Sequence, residues 1–274
     1  VSLSSSASGT ALSVSGSVAG TGVVTLAASA GGIALSGVVD ATLAGTLDLA
    51  AASGVNQSGG SITAGLLRST PGITGDVTLT RTANAIALIN GLSITSGSFS
   101  LVDGVSLSVG GIVQVDASKA ISVTTDGFGF GPGGALQAPG GVVSVVPMTG
   151  TTVVTLGGVV GSGIEPGDLS RITAGTISLG GKAGGGGTQA SHIDLIGDAT
   201  TSVALQLHTL GAVTQTLGTL SADSLSGNAG AVSLLTSGNV IKALRDFTVG
   251  TDFVLSDSVA LGVTGPVSGV NISL

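Results

Sequence analysis

Hydrophobic and polar residues alternate along most of the chain in short runs. Apolar side chains occupy every second position, with Ser, Thr, Gly or Gln between them, in runs such as 105–109, 205–207 and 259–263. These runs end at Gly, Asn or Asp, which favour turns. A period of two is typical of a β-strand, and windows dominated by Gly, Ser, Thr and Val disfavour helices. The pattern therefore predicts many short strands separated by turns.

One long stretch of this pattern occurs twice. Residues 84–109, NAIALINGLSITSGSFSLVDGVSLSV, match residues 239–263, NVIKALRDFTVGTDFVLSDSVALGV, at apolar positions and at two polar pairs. The polar pairs are Asn84 with Asn239 and Asp103 with Asp257. Because the match extends backward, we predict an internal duplication of approximately 45–113 and 203–267, with the matched polar residues at corners of the chain.

A shorter element recurs three times, as ITAGLL at 62, ITAGTI at 172 and LSADSL at 220. Each copy is followed by a Gly-rich break of different length and then by another alternating run. Constant strands joined by variable loops are typical of a solenoid, whose coils bury their apolar faces only by stacking on one another. The sequence therefore predicts an all-β parallel solenoid of roughly a dozen coils of about 20 to 25 residues, with 1–274 as a single segment. The longest break includes 180–187, which we expect to be an exposed corner loop that does not carry the fold.

Composition limits the class of protein. Only 8% of the 274 residues are charged and 42% are hydrophobic, with 49 Gly and no Cys, Trp or Tyr. An ordinary soluble domain carries about a quarter charged residues, whereas a disordered chain is poor in apolar residues. The apolar content therefore excludes simple disorder. Gly, Ser and Thr interrupt the long uncharged stretches, so we expect no membrane-spanning helix in this segment.

Two glycine-rich motifs resemble nucleotide-binding loops only superficially. Gly129, Gly131 and Gly134 have the spacing of a dinucleotide fingerprint, which works only where a strand leads into a helix. No helical pattern follows them. The segment around Lys182 lacks the hydroxyl residue that a phosphate-binding loop places after its lysine, since Ala183 stands there. We interpret both segments as loops and predict no cofactor.

His192 and His208 are the only histidines, and Asp194 and Asp198 lie nearby in sequence. The alternation places both histidines on the outward side of strands, about one coil apart. Two histidines and a carboxylate are a conceivable zinc ligand set. Our interpretation is that both are solvated surface residues and that no metal site is present.

A polysaccharide-cleaving β-helix enzyme is the main alternative from another class. Such enzymes need an acid and a base on either side of the scissile bond. The densest charged groups here are Glu165 with Asp168 and Arg171, beside a predicted turn, and Arg245 with Asp246. The remaining charges are scattered singly, and aromatic platforms for sugars are missing. We therefore predict no catalytic residues and no enzymatic activity.

The segments GDLSRITAGTISLG and LQLHTLGAVTQTLGTLSADSLSG, together with DFTVGTDFVLSDSVALGVTGPV, resemble the repetitive body of large secreted bacterial adhesins of the filamentous haemagglutinin type. The resemblance covers roughly residues 45 to 274. It implies a right-handed parallel β-helix, export by a two-partner or related route, and a location at the bacterial cell surface. The Asn-Pro motifs of the exported amino-terminal region of that family do not occur here, so we expect a fragment of a longer shaft.

Two functions follow as expectations. In one, the segment is a rigid extracellular shaft that supports attachment, and its partners are neighbouring coils, copies of the same protein, or host or surface glycans that contact its loops. In the other, it is the subunit of a self-associating extracellular filament or matrix. A net charge of −7 repels phosphate, which excludes nucleic acid as an expected partner.

Overall fold

A computed structural model describes residues 1–6, 9–184 and 187–274. The chain is all-β: 54% of its residues lie in strands, and the described residues contain one 3₁₀-helical turn, Leu169–Arg171. Parallel sheets stack as a β-solenoid of about 12 turns, which confirms the predicted all-β parallel solenoid of roughly a dozen coils. The chain divides into two compact units, Val1–Thr125 with Phe130–Gly141, and Asp126–Gly129 with Val142–Leu274.

The first unit contains two sets of parallel strands. The larger set consists of β1 (Ser2–Ser5), β3 (Ser17–Ala19), β4 (Val23–Ala28), β6 (Val38–Asp40), β7 (Thr46–Ala51), β9 (Ile62–Arg68), β10 (Ile73–Thr74), β12 (Ala85–Ile89), β13 (Leu92–Thr95), β15 (Leu107–Val109), β16 (Ile112–Gln114) and β19 (Ala135–Gln137). The smaller set consists of β2 (Leu12–Val14), β5 (Ile33–Leu35), β8 (Val55–Gln57), β11 (Val77–Leu79), β14 (Phe99–Val102) and β17 (Ala120–Thr124). β18 (Phe128–Phe130) contributes residues to both units.

The second unit also contains two sets of parallel strands. One set consists of β20 (Val142–Val146), β24 (Thr176–Leu179), β26 (Ala199–Thr200), β27 (Ala204–His208), β29 (Leu220–Ala229), β31 (Val240–Val249), β33 (Gly262–Val263) and β34 (Val267–Ser268). The other consists of β21 (Val153–Leu156), β22 (Ile164–Gly167), β23 (Ile172–Thr173), β25 (His192–Ile196), β28 (Ala212–Leu217), β30 (Ala231–Leu234), β32 (Asp252–Leu255) and β35 (Asn271–Ser273).

Apolar residues of the first unit stack in register from coil to coil. Val55, Val77, Phe99 and Ile121 are successive partners in β8, β11, β14 and β17, and they follow one another every 22 residues. All four side chains are buried. Because adjacent parallel strands lie about 4.8 Å apart, each apolar side chain contacts the one above and the one below. The coil length agrees with the expected 20 to 25 residues.

The second unit repeats this stacking with slightly shorter coils. Ile193, Val213, Val232 and Phe253 are register partners at intervals of 20, 19 and 21 residues. The ring of Phe253 meets that of Phe247 edge to face, with centroids 5.2 Å apart. Edge-to-face aromatic pairs stabilise a core beyond the area that they bury. The core of this unit is therefore also a continuous apolar column.

The four matched polar residues lie at corners, as predicted. Asn84 and Asn239 each follow a tight turn and directly precede a strand, and both are buried. Asp103 and Asp257 each accept a hydrogen bond from a strand amide of the preceding coil, with O to N distances of 3.0 and 3.1 Å. The two copies therefore use the same side chains for the same local bonds.

Candidate binding groove

The Gly-rich insertion between β24 and β25 packs on the outer face of the second unit. Gly180 and Gly181 are buried, and the amide of Gly180 donates to the carbonyl oxygen of Val145 at 3.0 Å. A Cβ atom added at Gly181 would lie 2.6 Å from Cβ of His208. The prediction of an exposed loop is therefore wrong for these two glycines. It is confirmed for 182–184 and for Gly187, whereas Gly185 and Gly186 lie outside the described residues.

His208 is the side chain that the insertion covers. It follows buried Leu207 in β27 and so lies on the outward side of the strand, as the alternation predicts. Its exposed fraction is nevertheless only 4%, because the backbone at Gly181 lies against it. The interpretation of His208 as a solvated surface residue is wrong. Sequence alternation reports the direction of a side chain, and it does not report what a later loop places over it.

A polar network fixes the ring of His208. Nδ1 lies 2.7 Å from Oδ1 of Asn228 on the next coil. Asn228 and Gln189 exchange two amide hydrogen bonds, of 3.2 and 2.8 Å, in which Oδ1 of Asn228 is an acceptor. With this amide orientation Nδ1 of His208 carries a hydrogen, and in the neutral ring Nε2 is then an acceptor. Nε2 is buried and has no hydrogen-bond partner among the described residues.

An open groove of about 470 Å³ runs over this face of the second unit. Most of its lining residues carry polar side chains, because the groove follows the outward positions of three neighbouring strands, β27, β29 and β31. Register places Gln206 beside Ser226, His208 beside Asn228, and Asn228 beside Thr248. Arg245 and Asp246 lie on the third strand, and Gly184 of the insertion lies on the other side. The groove is therefore built by strand register together with one loop.

Gly227 brings the strands close enough to form the floor of the groove. Its φ is +136°, which L residues rarely adopt, and a Cβ there would lie 1.9 Å from the carbonyl oxygen of Leu207. Register also shifts between Leu225 and Gly227 where β29 meets β31. Irregular pairing of this kind changes the direction in which the neighbouring side chains point. The floor consequently depends on a glycine at this one position.

The two histidines of the conceivable metal ligand set lie on different strand sets. His192 lies in β25 and His208 in β27, which belong to different strand sets of the second unit. Nε2 of His192 lies 3.2 Å from Oδ2 of Asp194. Asp198 accepts a hydrogen bond from the backbone amide of Thr219 at 2.8 Å. Among the residues that the structure describes, no group of three or more His, Cys, Asp or Glu side chains could hold a metal ion.

Glu165 and Asp168, which lie near Arg171 in sequence, serve local structure. Oε1 of buried Glu165 accepts from the amides of Val160 and Ser162, at 2.8 and 3.1 Å. Asp168 caps the Leu169–Arg171 turn. Both carboxylates therefore accept hydrogen bonds from backbone amides close to them in sequence.

Asp168 is held in its ionised form. Hydrogen bonds from the side chain and the backbone of Ser170 lower the pKa of Asp168 below its usual value. A general acid needs a pKa near the working pH. Asp168 has the opposite property, because its proton is lost at lower pH than that of an ordinary aspartate.

The glycines of the dinucleotide-like motif lie in a strand and a turn. Gly129 is in β18, and β19 begins one residue after Gly134, so no helix follows. This excludes the strand-to-helix geometry on which a dinucleotide site depends. Lys182 is exposed on the insertion.

The outward polar rows of the groove were not predicted from the sequence. Ser226, Asn228 and Thr248 look like ordinary solvated strand positions, and only the register shows that they adjoin His208 and Arg245. Within the described residues, no helix has both the length and the apolar character needed to cross a membrane. Comparison with protein-family models, curated proteins and solved structures gave no match.

Proposed function

We propose that this chain is a structural and adhesive segment of a secreted bacterial surface protein, whose stacked coils act as a rigid extracellular shaft that supports attachment. The observation that carries the proposal is the unbroken apolar column within each unit, such as Val55, Val77, Phe99 and Ile121. Each coil buries its apolar face only against its neighbours, which is how a solenoid resists bending and local unfolding.

The polar groups support the same role. The buried corner residues Asn84 and Asn239 bond backbone groups of adjoining coils. The carboxylates of Glu165 and Asp168 likewise hold local backbone. Side chains that are committed to backbone in this way stabilise a scaffold, and they leave no acid and base pair at these positions. The lack of enzymatic activity stays a prediction.

Surface labelling tests the proposed location. An antibody against this chain should label intact cells of the source organism as strongly as permeabilised cells, and deletion of the coding segment should reduce attachment of the cells to a host or mineral surface. An antibody against a cytoplasmic protein is the control for membrane integrity. Labelling that appears only after permeabilisation contradicts the proposal.

A second candidate function is that of a subunit in a self-associating filament. The last coil of the second unit leaves apolar side chains exposed: Val263 is 54% exposed, Val270 73% and Ile272 45%. In the inner coils the partners of two of these, Leu244 and Phe253, are buried. In a filament of this kind, a second copy of the chain would cover these side chains by pairing with β35.

Sedimentation velocity distinguishes this second candidate. A filament subunit should form larger species as its concentration rises, and Ile272→Lys should abolish them because the lysine charge cannot be buried in a paired edge. Leu43→Lys, at a position that is 62% exposed in the first unit, is the matched control. A single species at all concentrations, or assembly that is unchanged in Ile272→Lys, contradicts the filament.

A further inference from the structure

We propose that the groove of the second unit, formed by Gln206, His208, Ser226, Asn228, Arg245 and Thr248 with Asp246 and Gly184, binds a short saccharide that carries a carboxylate. The proposal goes beyond the role of a shaft, because it assigns a specific ligand site to one face of the solenoid. It does not require the chain to be at a cell surface, so the two proposals can fail separately.

The size and polarity of the groove favour a hydrated ligand. Its volume of about 470 Å³ lies within the roughly 300 to 1,000 Å³ that small-molecule sites occupy. Most such sites are lined by apolar and aromatic groups, whereas hydroxyl, amide and charged side chains line this one. Polar and apolar atoms share the surface of the groove about equally, so a ligand must form hydrogen bonds there as well as apolar contacts. A sugar, with a hydroxyl group on most of its carbons, can form both.

The floor offers both donors and acceptors at strand spacing. The side chains of Gln206 and Ser226 are register neighbours on adjacent strands, about 4.8 Å apart in the hydrogen-bonding direction. Thr248 follows on the third strand, beside Asn228. Hydroxyl and amide groups can each donate and accept. A saccharide lying across the strands would therefore meet alternating partners for its hydroxyl groups.

Arg245 gives the groove its preference for a carboxylate. Its side chain is exposed and forms no ion pair or hydrogen bond with other described residues. A guanidinium presents a planar fork that binds a carboxylate with two parallel hydrogen bonds. Asp246 beside it accepts hydroxyl donors and repels a second negative charge. The pair suits one carboxylate among neutral hydroxyls better than it suits a phosphate dianion.

His208 supplies an acceptor that lacks a donor in the protein. The residue is only 4% exposed, and it lines the groove. Its Nε2 has no hydrogen-bond partner among the described residues. A buried polar atom without a hydrogen-bond partner destabilises the folded state. Nε2 is closed to solvent, so a ligand hydroxyl donates to it only after the ring or the covering backbone at Gly181 moves aside.

Charge limits the length of the ligand. The chain carries a net charge of −7, with 14 acidic and 7 basic residues, so a long polyanion would be repelled outside the groove. One cationic side chain in the groove serves one carboxylate. The site therefore fits a short uronate segment or a single acidic sugar within a mainly neutral glycan.

Isothermal titration calorimetry tests the proposal directly, and it suits a chain that has no Trp or Tyr to report binding by fluorescence. The probes are trisaccharides that carry a single galacturonate, glucuronate or mannuronate among neutral sugars, with trisaccharides that carry galactose, glucose or mannose at the same position as references. We expect at least one uronate to bind, with a dissociation constant at least tenfold lower than that of its neutral counterpart. Failure of all three uronates to bind, or equal binding of a uronate and its neutral counterpart, overturns the proposal.

Two variants localise the site. Arg245→Gln should weaken uronate binding at least tenfold, whereas Arg81→Gln, which removes an exposed arginine of the first unit, should leave it unchanged. Ser226→Leu should block the floor of the groove and abolish binding while the circular dichroism spectrum is retained. Undiminished binding by Arg245→Gln or by folded Ser226→Leu would mean that the saccharide binds elsewhere, and it would overturn the assignment.

Discussion

Gln57 and Asn84 exchange two side-chain amide hydrogen bonds across neighbouring coils, one of 2.8 Å and one of 2.9 Å. Both side chains are buried. The remaining hydrogen-bonding capacity of Asn84 is filled by backbone: Oδ1 accepts from the amide of Ile62 at 3.0 Å, and Nδ2 donates to the carbonyl oxygens of Leu79 and Val102. One asparagine therefore ties together three successive coils at a corner.

The same arrangement occurs at the matched corner of the second unit. Gln215 and Asn239 exchange amide bonds of 2.8 and 3.1 Å. Oδ1 of Asn239 accepts from the amide of Leu220, and Nδ2 donates to the carbonyl oxygens of Leu234 and Ser256. The physical need that retains these residues in both stretches is the satisfaction of buried backbone groups at a turn.

Replacing Asn84 with Ala should lower the free energy of unfolding by about 2 to 4 kcal/mol. The change leaves the amide of Gln57 and several buried backbone groups without partners, and each such loss costs about 1 to 3 kcal/mol. Urea unfolding followed by circular dichroism measures the effect. Asn56→Ala, at an exposed position beside Gln57, is the control and should change stability by less than about 0.5 kcal/mol. Equal effects of the two substitutions would contradict the role of the corner.

The stability of the first unit should depend on the ionisation of Asp103. Burial raises the pKa of Asp103 to about 7 from its usual value of 3.8. Hydrogen bonds from the backbone amides of Ile86, Val105 and Gly104 oppose this shift only in part. The other carboxyl oxygen, Oδ2, is buried and has no hydrogen-bond partner among the described residues. Between pH 3.8 and about pH 7, the folded state therefore holds a proton on Asp103 that the unfolded state has already lost.

The sign of the pH effect follows from the raised pKa. Below pH 3.8 both states are protonated and the contribution of Asp103 to stability is complete. As the pH rises toward 7 the unfolded state ionises first, so the free energy of unfolding falls, on the order of 2 to 4 kcal/mol in total. The urea midpoint of the wild type should be lower at pH 8 than at pH 5. Asp103→Asn should remove most of this difference. Asp116→Asn, at an exposed carboxylate of the same unit, should retain it.

Gly227→Ala should destabilise the second unit by more than about 2 kcal/mol. The new Cβ would lie 1.9 Å from the carbonyl oxygen of Leu207, and φ is +136°. Relief of this clash requires the backbone of a neighbouring strand to move. Gly129→Ala is the control, since the nearest atom to its Cβ would be the carbonyl oxygen of Glu165 at 3.7 Å. A melting temperature unchanged by Gly227→Ala would show that the strands are farther apart than described.

The solenoid could be predicted from the sequence because its main cause is local. Alternation decides which side chains face inward, and repetition at a nearly fixed interval decides that Val77, Phe99 and Ile121 stack. The positions of Asn84 and Asp103 at corners followed from the turn residues around them. The link between Gln57 and Asn84 did not, because it joins residues 27 apart and depends on the register of coils.

The groove could not be predicted for a related reason. His208 and Asn228 are neighbours only through strand register, and Gln189 reaches Asn228 only because the insertion folds back over the sheet. The path of a glycine-rich loop leaves little trace in its own sequence, since glycine is compatible with many conformations. The conformation of such a loop is set by the surface against which it packs.

The insertion should therefore tolerate a deletion in its middle and resist a substitution at its start. Removal of 184–187 shortens the insertion between positions at which Gly184 and Gly187 are exposed, and loop closure changes by only about 0.6 kcal/mol per doubling of length. The melting temperature should shift by no more than about 2 °C. Gly181→Ala adds an atom 2.6 Å from Cβ of His208. We expect it to cost about 1 to 3 kcal/mol.

Differential scanning calorimetry of both variants decides whether the two parts of the insertion have different roles. Gly150→Ala is the control for the substitution, because the nearest atom to its added Cβ would be 3.8 Å away in the same unit. A deletion that lowers the melting temperature as much as Gly181→Ala would mean that the exposed residues also carry the fold. A harmless Gly181→Ala would mean that His208 is free to move, and the covered histidine would then lose its fixed position in the groove.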